Sequence, residues 1–380
     1  MSARLWRLLL TSATLLILFL LHTAGSSAQS AYTVSLTSPD ISTFPHLTAY
    51  LDVHDPTGEF VHGLSTKDVF LEENGVQVPV NGLLEKKPGV QFVMAIAPGS
   101  TFAIRDASGT SRYEYLLQGL LAGSWAGQPS GGDDLSLLTE GGPQLTHSST
   151  PVTLRSALES FQPSDPIATP SLEVLASALQ VVSDPTPHPG MERGILFITP
   201  PQLPEVSLGL QSILANANQE DIHIFVWLVA PEESFVLPEI DLLRNLASQT
   251  RGTFFAFSHN EPVPDLETIL EPLRYVYQLG YDSQAATAGA QQIAAQVTIG
   301  GEQITSQPQS FELNLQSPAL VILDPPAEIV REFVNQPTST TTNAVSDLRP
   351  VEQRLNIQVT FPMVIRVNLR VPACMSMELW

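Results

Sequence analysis

The chain has 380 residues, 43% hydrophobic and only 14% charged, so it can build sizeable cores, and disorder throughout is excluded. At about 150 residues per domain, its length predicts two or three modules. Asp plus Glu total 38 against 17 Lys plus Arg, and the net charge of −21 repels phosphate backbones, which removes nucleic acid as a partner class. Lysine occurs only at Lys67, Lys86 and Lys87, so no polybasic patch is available to hold an anionic membrane surface.

Residues 1–28 carry Arg4 and Arg7, then an apolar run from Leu8 to Leu21, then Ser26-Ser27-Ala28. This pattern predicts a secretory signal peptide cut before Gln29 and an extracytoplasmic location, secreted or at the cell surface. The alternative is an uncleaved anchor, which would be the chain's sole membrane contact. Cys374 is the only cysteine, so an internal disulfide and a cysteine-built zinc site are both excluded. From Tyr32 to Leu84 the residues alternate in polarity, with Asp55-Pro56-Thr57-Gly58 and Glu73-Asn74-Gly75 as turn signals. An N-terminal β-sandwich module over 31–87 follows, with a tight hairpin at Asn74-Gly75.

After Lys86-Lys87-Pro88-Gly89 the pattern changes to βαβ units. Buried parallel strands are predicted at 90–96, 135–138, 194–199, 222–229 and 253–257. Helices are predicted at 113–121, 152–161, 172–182, 206–217, 240–248 and 266–276, covering both faces of a doubly wound, mostly parallel α/β sheet over 88–283. Alternation returns at 293–299, 311–315 and 355–361, predicting a C-terminal β module over 284–362 with an immunoglobulin-like character. Residues 363–380 hold Met363, Met375, Met377, Cys374 and Trp380, against the run of the preceding composition. Read one base earlier, their codons permit Pro-x-Gly after Phe361 and a later Leu-Tyr-Val-Asp-Gly. The tail is therefore either a frameshift that truncates the last module or a genuine, poorly ordered C-terminus.

The stretch Gln91-Phe92-Val93-Met94-Ala95-Ile96 leading into Ala97-Pro98-Gly99-Ser100, then Arg193 to Thr199, Ile222 to Trp227 and the Thr250-Arg251-Gly252 turn, resembles the von Willebrand factor type A (VWA) family over residues 90–282. The preceding β module resembles one that often accompanies such domains in bacteria. The resemblance implies a Rossmann-type sheet whose C-terminal edge carries a metal-ion-dependent adhesion site: Asp-x-Ser-x-Ser after the first strand, a Thr on a second loop, and an Asp after the central strand. Hard oxygen ligands of this kind suit Mg²⁺. Laid on this chain, the pattern puts Ile96 in the first Asp slot, Pro98 and Ser100 in the Ser slots, Thr169 in the Thr slot and Pro200 in the second Asp slot. Both carboxylates are missing, which predicts a degenerate site with no bound cofactor or metal. Asp106 and Asp165 are candidate substitutes. The loops around Pro98, Ser100, Thr169 and Pro200 remain candidate partner-binding positions, because open α/β sheets bind ligands at this edge.

No Gly-x-Ser-x-Gly elbow, phosphate-binding glycine loop or His-Glu-x-x-His helix occurs, so standard hydrolase and nucleotide chemistries lack their parts. His54 and His62, near Asp52, Asp55 and Glu59, form a minor metal candidate. His223 reads as a packing residue, and Asp133-Asp134 as solvated loop charges. The sequence thus predicts a non-enzymatic exported protein that uses a VWA-like domain for metal-independent recognition of, or adhesion to, an extracytoplasmic protein. The alternatives are a Mg²⁺- or Mn²⁺-dependent adhesin using substitute carboxylates, and an exported hydrolase.

Overall fold

The computed structural model describes residues 32–129, 132–163, 170–203, 206–315, 319–323, 331–333, 348–350 and 357–360. The expected signal segment, the candidate residues Asp165 and Thr169, and the 363–380 tail lie outside them. The described residues up to Gln284, with Gln291–Phe311, form one compact unit, and the remaining described residues belong to a second.

In the first unit, the continuous apolar runs become the middle of a six-stranded sheet. Its strands are β5 (Val90–Ile96), β6 (Asp134–Thr139), β7 (Gly142–Ser148), β8 (Glu192–Thr199), β9 (Ile222–Val229) and β10 (Phe254–Phe257). They lie in the order β10-β9-β8-β5-β6-β7, all parallel except β7, which returns antiparallel to β6. Every residue of β5 and β9 is buried, as expected for central strands covered on both faces.

Alternation along β5 divides the core in two. Phe92, Met94 and Ile96 face a layer that includes Tyr113, Leu116 and Leu120 of α1 (Arg112–Ala122), Leu154 and Leu158 of α2 (Pro151–Ser160), and Ile269, Leu270 and Leu273 of a C-terminal helix, Glu267–Leu273. Val93 and Ala95 face the other layer, made by α3 (Glu173–Val182), α4 (Ser207–Gln219) and α5 (Pro238–Gln249). With Glu267–Leu273 as α6, three helices cover each face. Helix α1 starts at a complete capping box, in which Ser111 and Glu114 each bond the other's backbone N–H, so its first turn leaves fewer orphan donors.

The second sheet of this unit is antiparallel. Its strands are β1 (Thr33–Leu36), β2 (His46–His54), β3 (Val69–Glu73), β4 (Val76–Lys86), β11 (Val276–Asp282), β12 (Gly289–Ile299), β13 (Glu302–Thr305) and β14 (Gln309–Leu313). They run β1-β2-β11-β4-β3-β12-β13, with β14 on β12. The end strands β1 and β13 approach each other, and Ser38 beyond β1 donates to the Ser310 carbonyl at 3.3 Å, so the sheet is nearly closed, like a barrel. A bulge at Gly280/Tyr281 against β4 supplies the local bend that closure needs. Leu47, Ala49, Leu51 and Val53 alternate inward with Val69, Leu71, Tyr277, Leu279, Ile293 and Ala295. The β3–β4 hairpin turns at Asn74 and Gly75, with φ of 51° and 80°, the pair of positive values a two-residue turn requires.

This arrangement corrects the expected module boundaries. Residues 31–87 are not a self-contained sandwich. Strand β11, which sequence placed at the end of the α/β domain, lies between β2 and β4, and β12 pairs with β3. Strands β12 to β14, expected to open a separate C-terminal module, complete the barrel-like sheet instead. The physical reason is edge pairing: β2 and β4 each carry a backbone edge that alternation alone does not assign to a partner. The α/β domain is thus an insertion between β4 and β11. In the second unit, the described residues form two ladders, Ala319–Ile322 with Ile357–Thr360 and Arg331–Phe333 with Leu348–Pro350, both antiparallel.

Candidate functional site

Strand β5 ends at the buried Ile96, and the loop beyond it keeps Ala97, Pro98 and Gly99 buried before Ser100 emerges to solvent. The buried Pro200, at the end of β8, packs on this loop so tightly that a Cβ on Gly99 would lie 2.8 Å from its Cγ. Apolar contact therefore fills the space between the two loops where the resemblance expects carboxylates. Asp106 does not turn toward it. Its Oδ1 accepts from Ser108 N (2.9 Å), Ser108 Oγ (2.7 Å) and Thr110 N (3.0 Å), and its Oδ2 accepts from the Tyr115 hydroxyl (2.7 Å). Those bonds, led by the Ser108 and Tyr115 hydroxyls, hold the carboxyl far below the usual range, so Asp106 is an anion committed to its own turn.

Beside this loop lies Arg112. It is buried, donates from Nε to the Ser258 carbonyl at 2.8 Å and from a terminal nitrogen to the Thr101 carbonyl at 3.3 Å, and makes no ion pair among the described residues. A fixed positive charge here opposes a divalent cation at the same edge. The surface of the edge is apolar: Ile104 (41% exposed), Leu203 (46%), Leu208 (76%), Val236 (86%) and Leu237 (39%) lie in the segments that follow β5, β8 and β9. The exposed Glu232 and Glu233 stand next to them. Sequence reasoning named the first and second loops but missed the Val236-Leu237 segment, whose signal is an apolar pair in a connection that turn chemistry would make polar.

A different constellation lies at the opposite edge, where the barrel-like sheet meets the starts of β8 and β9. Asp52 and His54 of β2, Glu192 of β8 and His223 of β9 are all buried. One ligand atom each from Asp52, Glu192 and His223 falls within 4.8 Å of the others. His54 donates from Nδ1 to the Gly58 carbonyl at 3.0 Å, and its Nε2 comes within 2.8 Å of Asp52 Oδ1. That approach lacks hydrogen-bond alignment: both Asp52 oxygens, His54 Nε2 and His223 Nε2 have no hydrogen-bond partner. Arg251, in the left-handed conformation at φ 61°, pairs with Asp221 and reaches Asp52 Oδ2 at 3.8 Å.

Burial, reinforced by the Asp52 and Asp221 charges, pushes Glu192 well above the ordinary carboxylate range. Burial with Arg251 nearby holds His223 well below the ordinary histidine range. For Asp52 and His54, burial opposes the charged forms, but their mutual attraction outweighs it, lowering the acid and raising the base. The cluster borders a cavity of about 500 Å³ lined by His54, His223, Arg251, Phe225, Thr268 and Pro272 among others.

No family model matches the chain, and no curated protein matches it. Among solved structures, the crystal structure of the SpRpn10 VWA domain overlaps 47% of this chain and 93% of its own length, at 12% identity and a TM-score of 0.35. The deciding observation is within the sheet itself: numbered from β5, its strands run 3-2-1-4-5-6, the doubly wound order, with the third antiparallel at the edge. The sheet is VWA-like.

On this VWA-like sheet, the sequence-named positions Pro98, Ser100 and Pro200 do come together at the C-terminal edge, while Asp106 lies in the same loop with its oxygens turned inward. Of the histidine candidates, His54 meets Asp52, whereas Asp55 is held by its turn and His62 pairs with Glu85 at 2.9 Å. The buried face of the VWA-like domain contains what sequence reasoning passed over. His223 packs in a strand as expected, yet its Nε2 is unsatisfied and lies beside two carboxyl groups, Asp52 and Glu192, that are 140 positions apart in the chain. The sequence signal was a histidine near the start of an otherwise apolar strand and a glutamate at the start of its neighbour.

Proposed function

We propose that this chain is a non-enzymatic, exported recognition protein, acting as a secreted or cell-surface factor, and that the C-terminal edge of its VWA-like domain binds an extracytoplasmic protein without a metal ion. The observation that carries this reading is the concentration of exposed apolar side chains on that edge, Leu208 and Val236 above all, in place of metal-binding carboxylates. Exposed apolar clusters with a polar rim mark protein-binding surfaces. The rim here is acidic, through Glu232 and Glu233 on a chain of net charge −21, so the complementary partner offers an apolar centre ringed by Lys or Arg. Arg112 and the close approach of Pro200 to Gly99 support metal independence.

A random peptide library displayed on phage and panned on the full chain in magnesium-free buffer tests the reading. The enriched peptides should combine apolar and basic residues and should lose binding to Val236→Asp with Leu203→Asp, while Asp106→Ala leaves binding intact. Binding that appears only when Mg²⁺ or Mn²⁺ is added, and vanishes in Asp106→Ala, would replace this reading with a metal-dependent adhesin. Peptides indifferent to Val236 and Leu203 would remove the edge as the binding surface.

A further inference from the structure

The buried cluster at the other edge of the sheet has a composition unlike a structural ion pair. Neither Asp52 oxygen nor His223 Nε2 is in an aligned hydrogen bond, although His54 Nε2 stands 2.8 Å from Asp52 Oδ1, and Glu192 Oε2 stands 3.6 Å from His223 Nε2. No Lys or Arg head group fills the space between them: Arg251 stays 3.8 Å from the outer Asp52 oxygen and its closest partner is Asp221. His54 and Arg251 both face Asp52, but neither is aligned with His223 Nε2, and a buried ring nitrogen left without a partner beside two carboxyl groups is costly. A ligating histidine usually donates its other ring N–H to a carbonyl or carboxylate, and His223 makes such a bond to the Arg251 backbone. In a tetrahedral zinc site with bonds of about 2.0–2.1 Å, ligand atoms sit roughly 3.4 Å apart, close to the His223–Glu192 separation. The remaining spread, up to 4.8 Å, would have to close on binding.

We infer that Asp52, Glu192 and His223 bind one divalent transition-metal ion of the zinc class, with the fourth position open to the adjoining cavity. Nitrogen in the donor set favours zinc over magnesium, which demands oxygen ligands in near-octahedral geometry. The cavity of about 500 Å³ provides the entry path. Glu192 and His223 belong to neighbouring strands of the VWA-like sheet, and Asp52 belongs to the barrel-like sheet, so the ion ties the insertion to its carrier. His54 stands outside the ligand set, against Asp52 Oδ1. In a chain whose sole cysteine is Cys374, this is a cross-link that needs no thiol.

The test uses the full chain, dialysed against zinc and then against metal-free buffer, with metal content and thermal melting both measured. One zinc per chain should remain, and a chelator should remove it while lowering the melting temperature; magnesium should reproduce neither effect. Glu192→Gln combined with His223→Asn should abolish retention, and His62→Asn, outside the cluster, should not. Cobalt substitution of the wild-type chain adds a readout independent of any variant's folding: a tetrahedral ligand-field spectrum is expected. No retained zinc and no melting shift in the wild-type chain would overturn the inference. So would full zinc retention by the double variant, or a cobalt spectrum of octahedral form.

Discussion

Thr250 and Gly252 show how much of the VWA-like sheet depends on one hydroxyl and one missing side chain. Thr250 Oγ1 donates to the Leu246 carbonyl at 2.8 Å, closing α5, and accepts from Ile224 N at 3.1 Å, fixing β9. Two residues later, a Cβ on Gly252 would lie 2.1 Å from the Ile224 carbonyl oxygen, a clash with backbone that no rotamer relieves. Gly252→Ala should therefore cost about 3 kcal/mol or more, and Thr250→Val about 1–3 kcal/mol through lost and orphaned hydrogen bonds. Urea titration of each variant checks both, and a Gly252→Ala change within 0.5 kcal/mol of zero would contradict the packing described. His147 offers a pH test. Its ring contacts Asp134 at 2.8 Å and Asp184 at 3.1 Å, and these carboxylates, Asp134 foremost, raise its pKa against partial burial. A raised folded-state pKa gives stability that is fully present below the free-histidine value of about 6.5 and is lost as pH rises through the folded value. Because the ring is 38% exposed, solvent screening keeps the effect below about 1 kcal/mol. The unfolding free-energy difference between wild type and His147→Gln should be largest near pH 5.5 and shrink toward pH 8.5; a difference that grows with pH would refute it.

At the scale of elements, α6 is anchored by charge as well as by its apolar face. Arg274, just past its end, is buried and donates from Nε to both Asp133 oxygens at 3.0 Å and from a second nitrogen to Oδ2 at 2.8 Å. Asp133 also accepts from Val90 N at 3.2 Å, so one carboxylate joins α6, the start of β5 and the approach to β6. Removing one partner of a buried pair typically costs about 3–5 kcal/mol when the other charge is left alone, but Arg274 also donates to Glu267 and Glu271. Asp133→Asn should therefore cost less, about 1–3 kcal/mol by denaturant titration, and a loss below about 0.5 kcal/mol would mean that the Asp133 contact adds nothing to that network. In sequence, Asp133-Asp134 reads as loop charge. Nothing in a dipeptide says that Arg274, 141 positions away, will cover it, and this limit recurs across the molecule. The central strands and the six α-helices among the described residues were legible because burial on both faces writes continuous apolar runs and one-face burial writes helical stripes. Strand β7 was not: Gly142–Ser148 is an edge strand whose largest apolar side chain is Leu145, and a mostly exposed strand has no pattern to display. Strand β11 was not: the helical reading ran on to Val276 and the residues after it were taken only as the end of the α/β domain, since Leu279 facing Ala49 on one side and Leu83 on the other is a fact about partners, not about composition. The same reasoning divides the sites. The empty Asp slots at Ile96 and Pro200 follow from local motif, whereas the convergence of Asp52, Glu192 and His223 exists only after two sheets have met.

For the whole molecule, the decisive feature is the way the VWA-like domain is held. Lys86 of β4 lies directly opposite Val276 of β11, so the chain leaves the barrel-like sheet and re-enters it at adjacent positions. Replacing residues 87–275 by Asn-Gly should therefore turn β4 and β11 into an ordinary hairpin and leave a sheet-rich, cooperatively melting barrel; circular dichroism of a chain without strand signal would disprove the independence of that sheet. The same adjacency sets a clock on synthesis. Val276 follows Lys86 by 190 positions, which at about 5–20 residues per second is an interval of roughly 10–40 s. Throughout it, β2 and β4 have been made while the strand that belongs between them has not, and each offers a bare edge to any passing chain. An insertion that folds early brings its two ends together and so shortens the search of β11 for its place. A defect inside it, such as Gly252→Ala, would thus harm the barrel by delay, and its first symptom in a cell would be material lost during translation.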